Sequence, residues 1–188
     1  MNYKAKLNFS KHLPFESQNP IAILATGPSL LKTYNESLRS KYSYIIGVNV
    51  AVDHFVCDYW VFADPLSFKR ATPKGNPKLC IGKKVLDDPI CKEAIEKLSY
   101  TIAENERPKE CPSFIFSIEI ALIVASKLQS NDLTFYGVDR DGQDDCNGDK
   151  SGWRDKRRWF SEKSRWSYFT NWYKNQSSSL VKFKYIKI

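Results

Sequence analysis

The sequence predicts the α/β fold class with a mainly parallel sheet, on three observations. Short apolar runs alternate along the chain with helical patterns. Several runs are apolar on both faces, which is typical of parallel strands covered on both sides. The chain has 188 residues, 42% of them hydrophobic and 14% aromatic, enough for one substantial core. With no internal repeat or linker, we expect a single domain over residues 1–188, with helices on both faces of the sheet.

The individual elements follow from local pattern. Strands are predicted where short runs rich in apolar residues end in turn residues, at residues 21–25, 44–48, 58–62, 79–81 and 133–138. Helices are predicted from amphipathic or continuous apolar patterns, at residues 30–38, 88–98 and 117–128. Residues 69–78 and 104–112 are rich in charged residues, proline or glycine and predict loops. Residues 181–188 alternate lysine with apolar residues and predict an edge strand.

Four polar residues each follow a different predicted strand, namely Thr26, Asn49, Asp64 and Asp139. The carboxyl ends of parallel strands share one edge of the sheet, and ligands bind at that edge. Each residue alone is also what a turn or a helix cap uses. The four together predict a ligand site at this edge.

The turn after the first strand has a composition suited to an anion. Gly27 allows a sharp turn and a close ligand approach. Pro28 suits the first turn of a helix, and Ser29 adds a hydroxyl beside the exposed helix amides. The segment matches neither the dinucleotide fingerprint nor a P-loop. A phosphate site and a tight turn without ligand both remain open.

An acidic stretch precedes a basic, aromatic one. Five aspartates lie between residues 139 and 149 and could hold a divalent cation, although flexible loops use the same residues, so a metal is not favoured. In residues 151–173 an aromatic stripe of heptad spacing, Trp159, Trp166 and Tyr173 with Phe169 and Glu162 between, predicts core packing. The arginines at the start of this segment could neutralise a leaving diphosphate, contact a polyanionic acceptor or form a solvated face: Arg154, Arg157 and Arg158.

The net charge and the cysteine pattern limit which partners and which cellular compartment are expected. The formal net charge is +8, from 29 basic and 21 acidic residues, which favours an anionic partner such as nucleic acid, nucleotide phosphates or acidic glycans. The five cysteines are widely spaced without a C-x-x-C pair, as expected of reduced thiols. The N-terminus lacks the apolar core of a signal peptide, and no apolar run reaches membrane-spanning length. We expect a soluble, cytoplasmic protein.

The motifs together resemble a known group of Rossmann-like proteins. They are Ala-Thr-Gly-Pro-Ser-Leu (25–30), Gly-Val-Asn (47–49), Ser117 before an apolar helix, Tyr-Gly-Val-Asp (136–139) and Arg-Trp-Phe-Ser-Glu (158–162). This order is similar to that in bacterial sialyltransferases, flagellin-modifying transferases and archaeal hydroxymethylpterin diphosphokinases, and especially in small phage-encoded relatives. The resemblance covers about residues 21–162 and would place a phage protein in the host cytoplasm.

The resemblance implies roles for individual residues. A nucleotide pocket would be lined by the first turn and two later residues: Thr26, Gly27, Pro28, Ser29, Asn49 and Ser117. The transferases of this group use a histidine near the C-terminal part of the site as general base, whereas this chain has only His12 and His54, both early. His54 follows the second strand, but no motif supports it as the base. We therefore expect a carboxylate base, Asp64 or Asp139, or a different chemistry.

Three functions follow as expectations. The first is a glycosyltransferase that moves a sugar from a nucleotide-activated donor to an acceptor hydroxyl, on hydroxymethylated phage DNA or otherwise on a surface glycan. The second is a diphosphokinase for a small heterocyclic alcohol, with ATP, magnesium and the aspartates Asp64, Asp139 and Asp141 as ligands. The third is a non-enzymatic nucleic-acid-binding protein that uses residues 151–165.

Overall fold

The chain forms an α/β fold around one seven-stranded, all-parallel sheet, which confirms the predicted fold class. The computed structural model describes residues 19–111, 116–139, 145–148, 156–177, 180–186 and 188, with the backbone alone at 156–162. The strands are β1 (Ile21–Leu24), β2 (Tyr44–Val48), β3 (Tyr59–Phe62), β4 (Lys78–Ile81), β5 (Tyr100–Ile102), β6 (Asp132–Tyr136) and β7 (Lys182–Tyr185).

Helices cover both faces of the sheet, as expected. They are α1 (Leu30–Thr33), α2 (Pro65–Arg70), α3 (Lys83–Leu86), α4 (Pro89–Glu96), α5 (Ser117–Lys127) and α6 (Lys156–Asn175). Helices α5 and α6 pack on one face, where nine consecutive residues of α5, from Ser117 to Ala125, are buried. Residues of α1, α3 and α4, including Leu30, Val85 and Ile95, pack on the other. Because both faces are covered, the central strands are apolar throughout, and all four residues of β1 are buried.

The strand order is β5-β4-β3-β2-β1-β6-β7. The chain adds strands outward from β1 to β5 on one side, then crosses over the sheet through α5 to add β6 and β7 on the other side of β1. The direction of growth therefore reverses between β1 and β6. A sheet of this kind opens a crevice at the carboxyl ends of the two strands on either side of the reversal, which is where its ligands bind.

The structure differs from the predicted elements at several places, and the four-residue helix α3 was not predicted. The helix predicted at residues 30–38 ends after Thr33, because Tyr34 and Asn35 both adopt an extended backbone. Asn35 starts a separate 3-10 turn, Glu36–Lys41, and caps its Ser37 amide. Strand β5 has only three residues and was not predicted. Helix α2 takes the first two residues of the predicted loop at 69–78. The predicted C-terminal edge strand is confirmed, since β7 pairs with β6 alone and ends the sheet.

No helix within the described ranges combines the length and the apolar character needed to cross a lipid bilayer.

Candidate functional site

The four polar residues after predicted strands lie at one edge of the sheet. In the order of the sheet they are Asp64, Asn49, Thr26 and Asp139, at the ends of β3, β2, β1 and β6. These four strands are direct neighbours, and neighbouring strands lie about 4.8 Å apart. The row is therefore continuous, and the strands that precede the two candidate bases Asp64 and Asp139, β3 and β6, are separated by three strand spacings, about 14 Å.

The turn after β1 is bound to the end of β6. The backbone nitrogens of Ala25 and Gly27 donate to the carbonyl oxygens of Tyr136 and Gly137, each at 2.8 Å. A Cβ on Gly27 would overlap with Asp139 Oδ2 and lie 2.5 Å from the Gly137 carbonyl oxygen. A glycine is thus required at position 27 because Asp139 and the Gly137 backbone lie too close to leave room for a side chain.

An internal carboxylate caps the first turn of α1. The Ser29 backbone nitrogen donates to Asp139 Oδ2 at 2.8 Å, so the chain supplies its own anion at the turn for which the sequence left a phosphate site and a tight turn without ligand both open. Pro28 beside it is half-buried. The Ser29 hydroxyl is buried and has no hydrogen-bond partner among the described residues.

Asn49 holds an uncommon backbone conformation at the end of β2. Its φ is +50°, in the left-handed region, which asparagine tolerates better than most residues. Its side-chain Oδ1 accepts a hydrogen bond from Ser67 Oγ at 3.1 Å. Ser67 was not recognised from the sequence, because its role depends on α2 lying beside the end of β2.

Asp64 and Ser117 both lie at the end of β3, where each binds a different backbone nitrogen. Asp64 caps α2, since its Oδ1 accepts from the Ser67 nitrogen at 3.2 Å. Ser117, the first residue of α5, accepts from the Ala63 nitrogen at 3.0 Å through its hydroxyl. The N-terminus of α5, which is eleven residues long, therefore lies at the same edge as the row of polar residues.

A further carboxylate lies at the end of β5. Glu104 accepts a hydrogen bond from the Lys83 backbone, while its Oε2 is buried without a partner among the described residues. Burial raises the pKa of this carboxyl above its ordinary value. Glu104 falls in a segment that the sequence predicted only as a loop, and no motif marks it.

Part of the acidic loop folds back over this edge. Cys146 donates its backbone N–H to the Thr26 carbonyl oxygen at 2.7 Å, and Asp145 pairs with Arg70 at 3.4 Å. Asn147 contacts His54 Nε2 at 2.5 Å through its Oδ1. Asp141, Asp144 and Asp149 lie outside the described residues, and among those described there is no cluster of three or more metal-binding side chains.

In the basic, aromatic segment, residues 151–173, some side chains pack in the core and others are not described. In α6 the side chains of Trp166, Phe169 and Tyr173 are buried, which confirms the core-packing stripe for the described part of it. Arg165 binds Glu119 through two nitrogens, at 2.7 and 2.8 Å. The residues of the segment that are described by their backbone alone include Arg157, Arg158, Trp159 and Glu162. Arg154 and His12 lie outside the described residues.

The direction of α6 places its start at the same edge. Arg165 meets Glu119 in the first turn of α5, and the Tyr173 hydroxyl donates to the Ser130 carbonyl oxygen beyond the end of α5. The two helices therefore run in the same direction. The backbone of Arg158, seven residues before Arg165, lies about 10 Å farther along the helix axis, in the direction of the carboxyl ends of the strands.

All five cysteines are buried thiols without a disulfide between them. Burial raises the pKa of Cys146 to about 12, and the nearby Asp145 carboxylate adds to this. Cys146 therefore stays protonated at neutral pH and contributes packing beside the turn after β1.

No family model, no curated protein and no solved structure matches this chain. The resemblance of its motifs to the sialyltransferase-like group stays a prediction. The fold and the edge geometry define an α/β domain with a row of polar groups at the reversal point of its sheet.

Proposed function

We propose that the protein is a glycosyltransferase that uses a nucleotide-activated sugar. The observation that carries this proposal is the continuous polar row at the β1–β6 reversal, where α/β sheets bind nucleotides. The donor nucleotide lies along the row, between the turn at Thr26 and the Ser117 end of α5, with Asn49 between them. The resemblance of the same residues to nucleotide-binding motifs supports this placement.

The phosphate end of the donor is assigned to the N-terminus of α5. Helix α1 has only four residues, and Asp139 already accepts its Ser29 amide. Helix α5 is longer, so its aligned peptide dipoles favour an anion more strongly. Its first turn also holds an internal carboxylate, Glu119, which accepts from the Phe116 backbone nitrogen at 3.5 Å. Unlike Asp139, this carboxylate is bound by an arginine, Arg165, which offsets its charge. The turn of Thr26 to Ser29, for which a phosphate site and a tight turn without ligand were both open, then contacts another part of the nucleotide.

Asp64 is the better of the two candidate bases. Among the described residues only its Oδ1 accepts a hydrogen bond, which leaves Oδ2 for an acceptor hydroxyl. Asp139 packs on Gly27 and holds the turn after β1. In the reaction Asp64 takes the hydroxyl proton while the acceptor oxygen bonds to the sugar carbon. The bond from that carbon to the phosphate oxygen breaks, and its electron pair leaves with the nucleotide.

Arg154, Arg157 and Arg158 supply positive charge for the leaving phosphate or for a polyanionic acceptor. The support is the direction of the α6 backbone, whose start lies toward the carboxyl ends of the strands, together with the net charge of +8. Hydroxymethylated DNA fits such an acceptor, with an acidic glycan as the other candidate. No divalent metal is required by this assignment.

The test is a ligand screen with CMP, UDP, GDP and ADP and their sugar-linked forms, read by thermal unfolding. A nucleotide present at one hundred times its Kd stabilises the fold by about 2.7 kcal/mol, which is readily detected. Stabilisation by one base type, and release of that nucleotide from its sugar when an acceptor is added, support the proposal. Stabilisation by none of them rejects it.

Two other outcomes would redirect the assignment. ATP-dependent release of AMP with a small heterocyclic alcohol indicates the diphosphokinase reaction instead. Salt-sensitive DNA binding that is unaffected by every nucleotide indicates a nucleic-acid-binding protein.

A further inference from the structure

Helix α2 buries a serine hydroxyl beside its inward-facing aromatic ring, Phe68. Its six residues are all described, and Ser67 is the only buried one, at 9% exposure. Leu66 beside it is 57% exposed. A short amphipathic helix normally turns its apolar residues inward. Phe68 supplies the apolar contact of α2, because its ring stacks on Trp60 and Phe62. The most deeply buried position beside it is occupied by the Ser67 hydroxyl.

The Ser67 hydroxyl has a defined partner at the candidate site. Its Oγ donates to Asn49 Oδ1 at 3.1 Å, while its backbone nitrogen donates to Asp64 Oδ1. A buried hydroxyl is costly unless it makes such a bond. Ser67 therefore joins the polar residues at the ends of β2 and β3 through two separate atoms.

The bond fixes which way the Asn49 amide points. Because a hydroxyl donates to Oδ1, the two N–H groups on Nδ2 are directed elsewhere. Among the described residues Nδ2 has no hydrogen-bond partner, and Asn49 is only half-buried. The left-handed backbone of Asn49 further limits where its side chain can reach. The result is a donor held in one orientation between the Thr26 turn and Asp64.

We infer that Ser67 is a positioning residue that holds Asn49 as a hydrogen-bond donor to an oxygen atom of the bound nucleotide. The inference rests on the proposed function for the identity of the ligand. It adds Ser67 to the proposed nucleotide site and makes the Asn49 amide the hydrogen-bond donor to the nucleotide. It requires the nucleotide to present an acceptor oxygen at the end of β2.

The experiment is a double-mutant cycle read by calorimetry with whichever of CMP, UDP, GDP or ADP binds the wild-type protein most tightly. Ser67→Ala keeps the backbone bond to Asp64 and removes only the hydroxyl. We expect it to weaken binding about tenfold, the scale of one hydrogen bond. Asn49→Ala should weaken binding at least as much. In the Asn49→Ala background, Ser67→Ala should add almost nothing, because its effect passes through Asn49. Ser67→Thr, which keeps a hydroxyl, should restore affinity.

Ser130→Ala is the matched control. Ser130 is a fully buried serine at the opposite edge of the sheet, where its hydroxyl donates to the Asn19 carbonyl oxygen. Its replacement should lower thermal stability and leave nucleotide affinity unchanged. If Ser67→Ala behaves like Ser130→Ala, or if its effect adds fully to that of Asn49→Ala, the positioning role is wrong.

A ligand-free measurement separates this inference from the proposed function. In 15N NMR spectra, Ser67→Ala should shift the Asn49 side-chain amide resonances, and Ser130→Ala should not. If wild-type protein binds none of the four nucleotides, the proposed function fails and the assigned ligand fails with it. The amide resonances then still decide whether Ser67 orients Asn49. Unchanged resonances in Ser67→Ala overturn the orientation.

Discussion

Asp139 Oδ2 accepts a hydrogen bond from the backbone nitrogen of Ser29 at 2.8 Å, across 110 residues of sequence. The contact joins the end of β6 to the start of α1, on either side of the point where the sheet reverses its direction of growth. A charged oxygen at a helix N-terminus is favourable by itself. The contact therefore gives Asp139 a structural role at the edge where a ligand would bind.

Replacing Asp139 by alanine should destabilise the fold. The Ser29 amide would lose its acceptor, and the loss of a helix cap of this kind costs about 1 kcal/mol. Urea unfolding measures this as a lower midpoint with an unchanged slope. Asp132→Ala, at the other end of β6 and also half-buried, is the control and should change the midpoint little. An unchanged midpoint in Asp139→Ala would show that the cap carries no stability.

Gly27→Ala should destabilise the protein by about 2 kcal/mol, in the range for overpacked sites, because its Cβ meets Asp139 and the Gly137 backbone. The partner variant is Gly27→Ala combined with Asp139→Ala, which removes one of the two overlaps. Its loss of unfolding free energy should be smaller than the sum of the single losses. If the losses of unfolding free energy were strictly additive, the alanine at position 27 would not be in steric conflict with Asp139.

Asp64→Asn should separate catalysis from capping. Asparagine caps a helix about as well as aspartate, so the thermal midpoint should hold. The loss of a general base should lower sugar transfer by a factor of about 100 to 10,000. Asp88→Asn is the control for turnover, because Asp88 also caps a helix ahead of a proline, although it pairs with Lys69 as well. Normal turnover in Asp64→Asn would remove Asp64 from the mechanism.

Much of the fold follows from local pattern, because buried parallel strands are continuously apolar. This marks β1, β2 and β3 within one residue of their observed bounds. The pattern fails at β5, whose three residues are too few to stand out, and at Tyr34 and Asn35, whose extended backbones end the first helix. The side of β1 on which β6 and β7 add is set by long-range packing, which no local pattern contains.

The location of the candidate site at the carboxyl edge of the sheet was predictable from the sequence, but the contacts between its residues were not. Strand ends identify Thr26, Asn49, Asp64 and Asp139, since parallel strands end together. The contacts of Asp139 with Ser29 and of Ser67 with Asn49 join distant segments. They depend on tertiary structure, so the sequence presents Ser67 only as a polar residue in a short helix.

Arg165→Leu should be the most destabilising of these substitutions. Its partner Glu119 is 1% exposed, and a buried carboxylate that loses its cation costs about 3 kcal/mol or more. Glu119 correspondingly raises the pKa of Arg165. Adding Glu119→Gln to Arg165→Leu should recover much of the loss of unfolding free energy. Lys97→Ala breaks an exposed pair with Glu93 and should cost well under about 1 kcal/mol. Equal costs for the two single variants would contradict this account.

The most direct test of the central claim is to map the bound nucleotide onto the sheet by backbone NMR. Spectra are recorded while the nucleotide that stabilises the protein is titrated in. The account predicts that the largest shifts fall at the carboxyl edge, at Thr26, Ser29, Asn49, Asp64 and Ser117. Residues at the amino ends of the strands, such as Ser43 and Asn131, should stay unchanged. Shifts confined to the amino ends, or to α6 alone, would contradict the account and leave the polar row as structural capping.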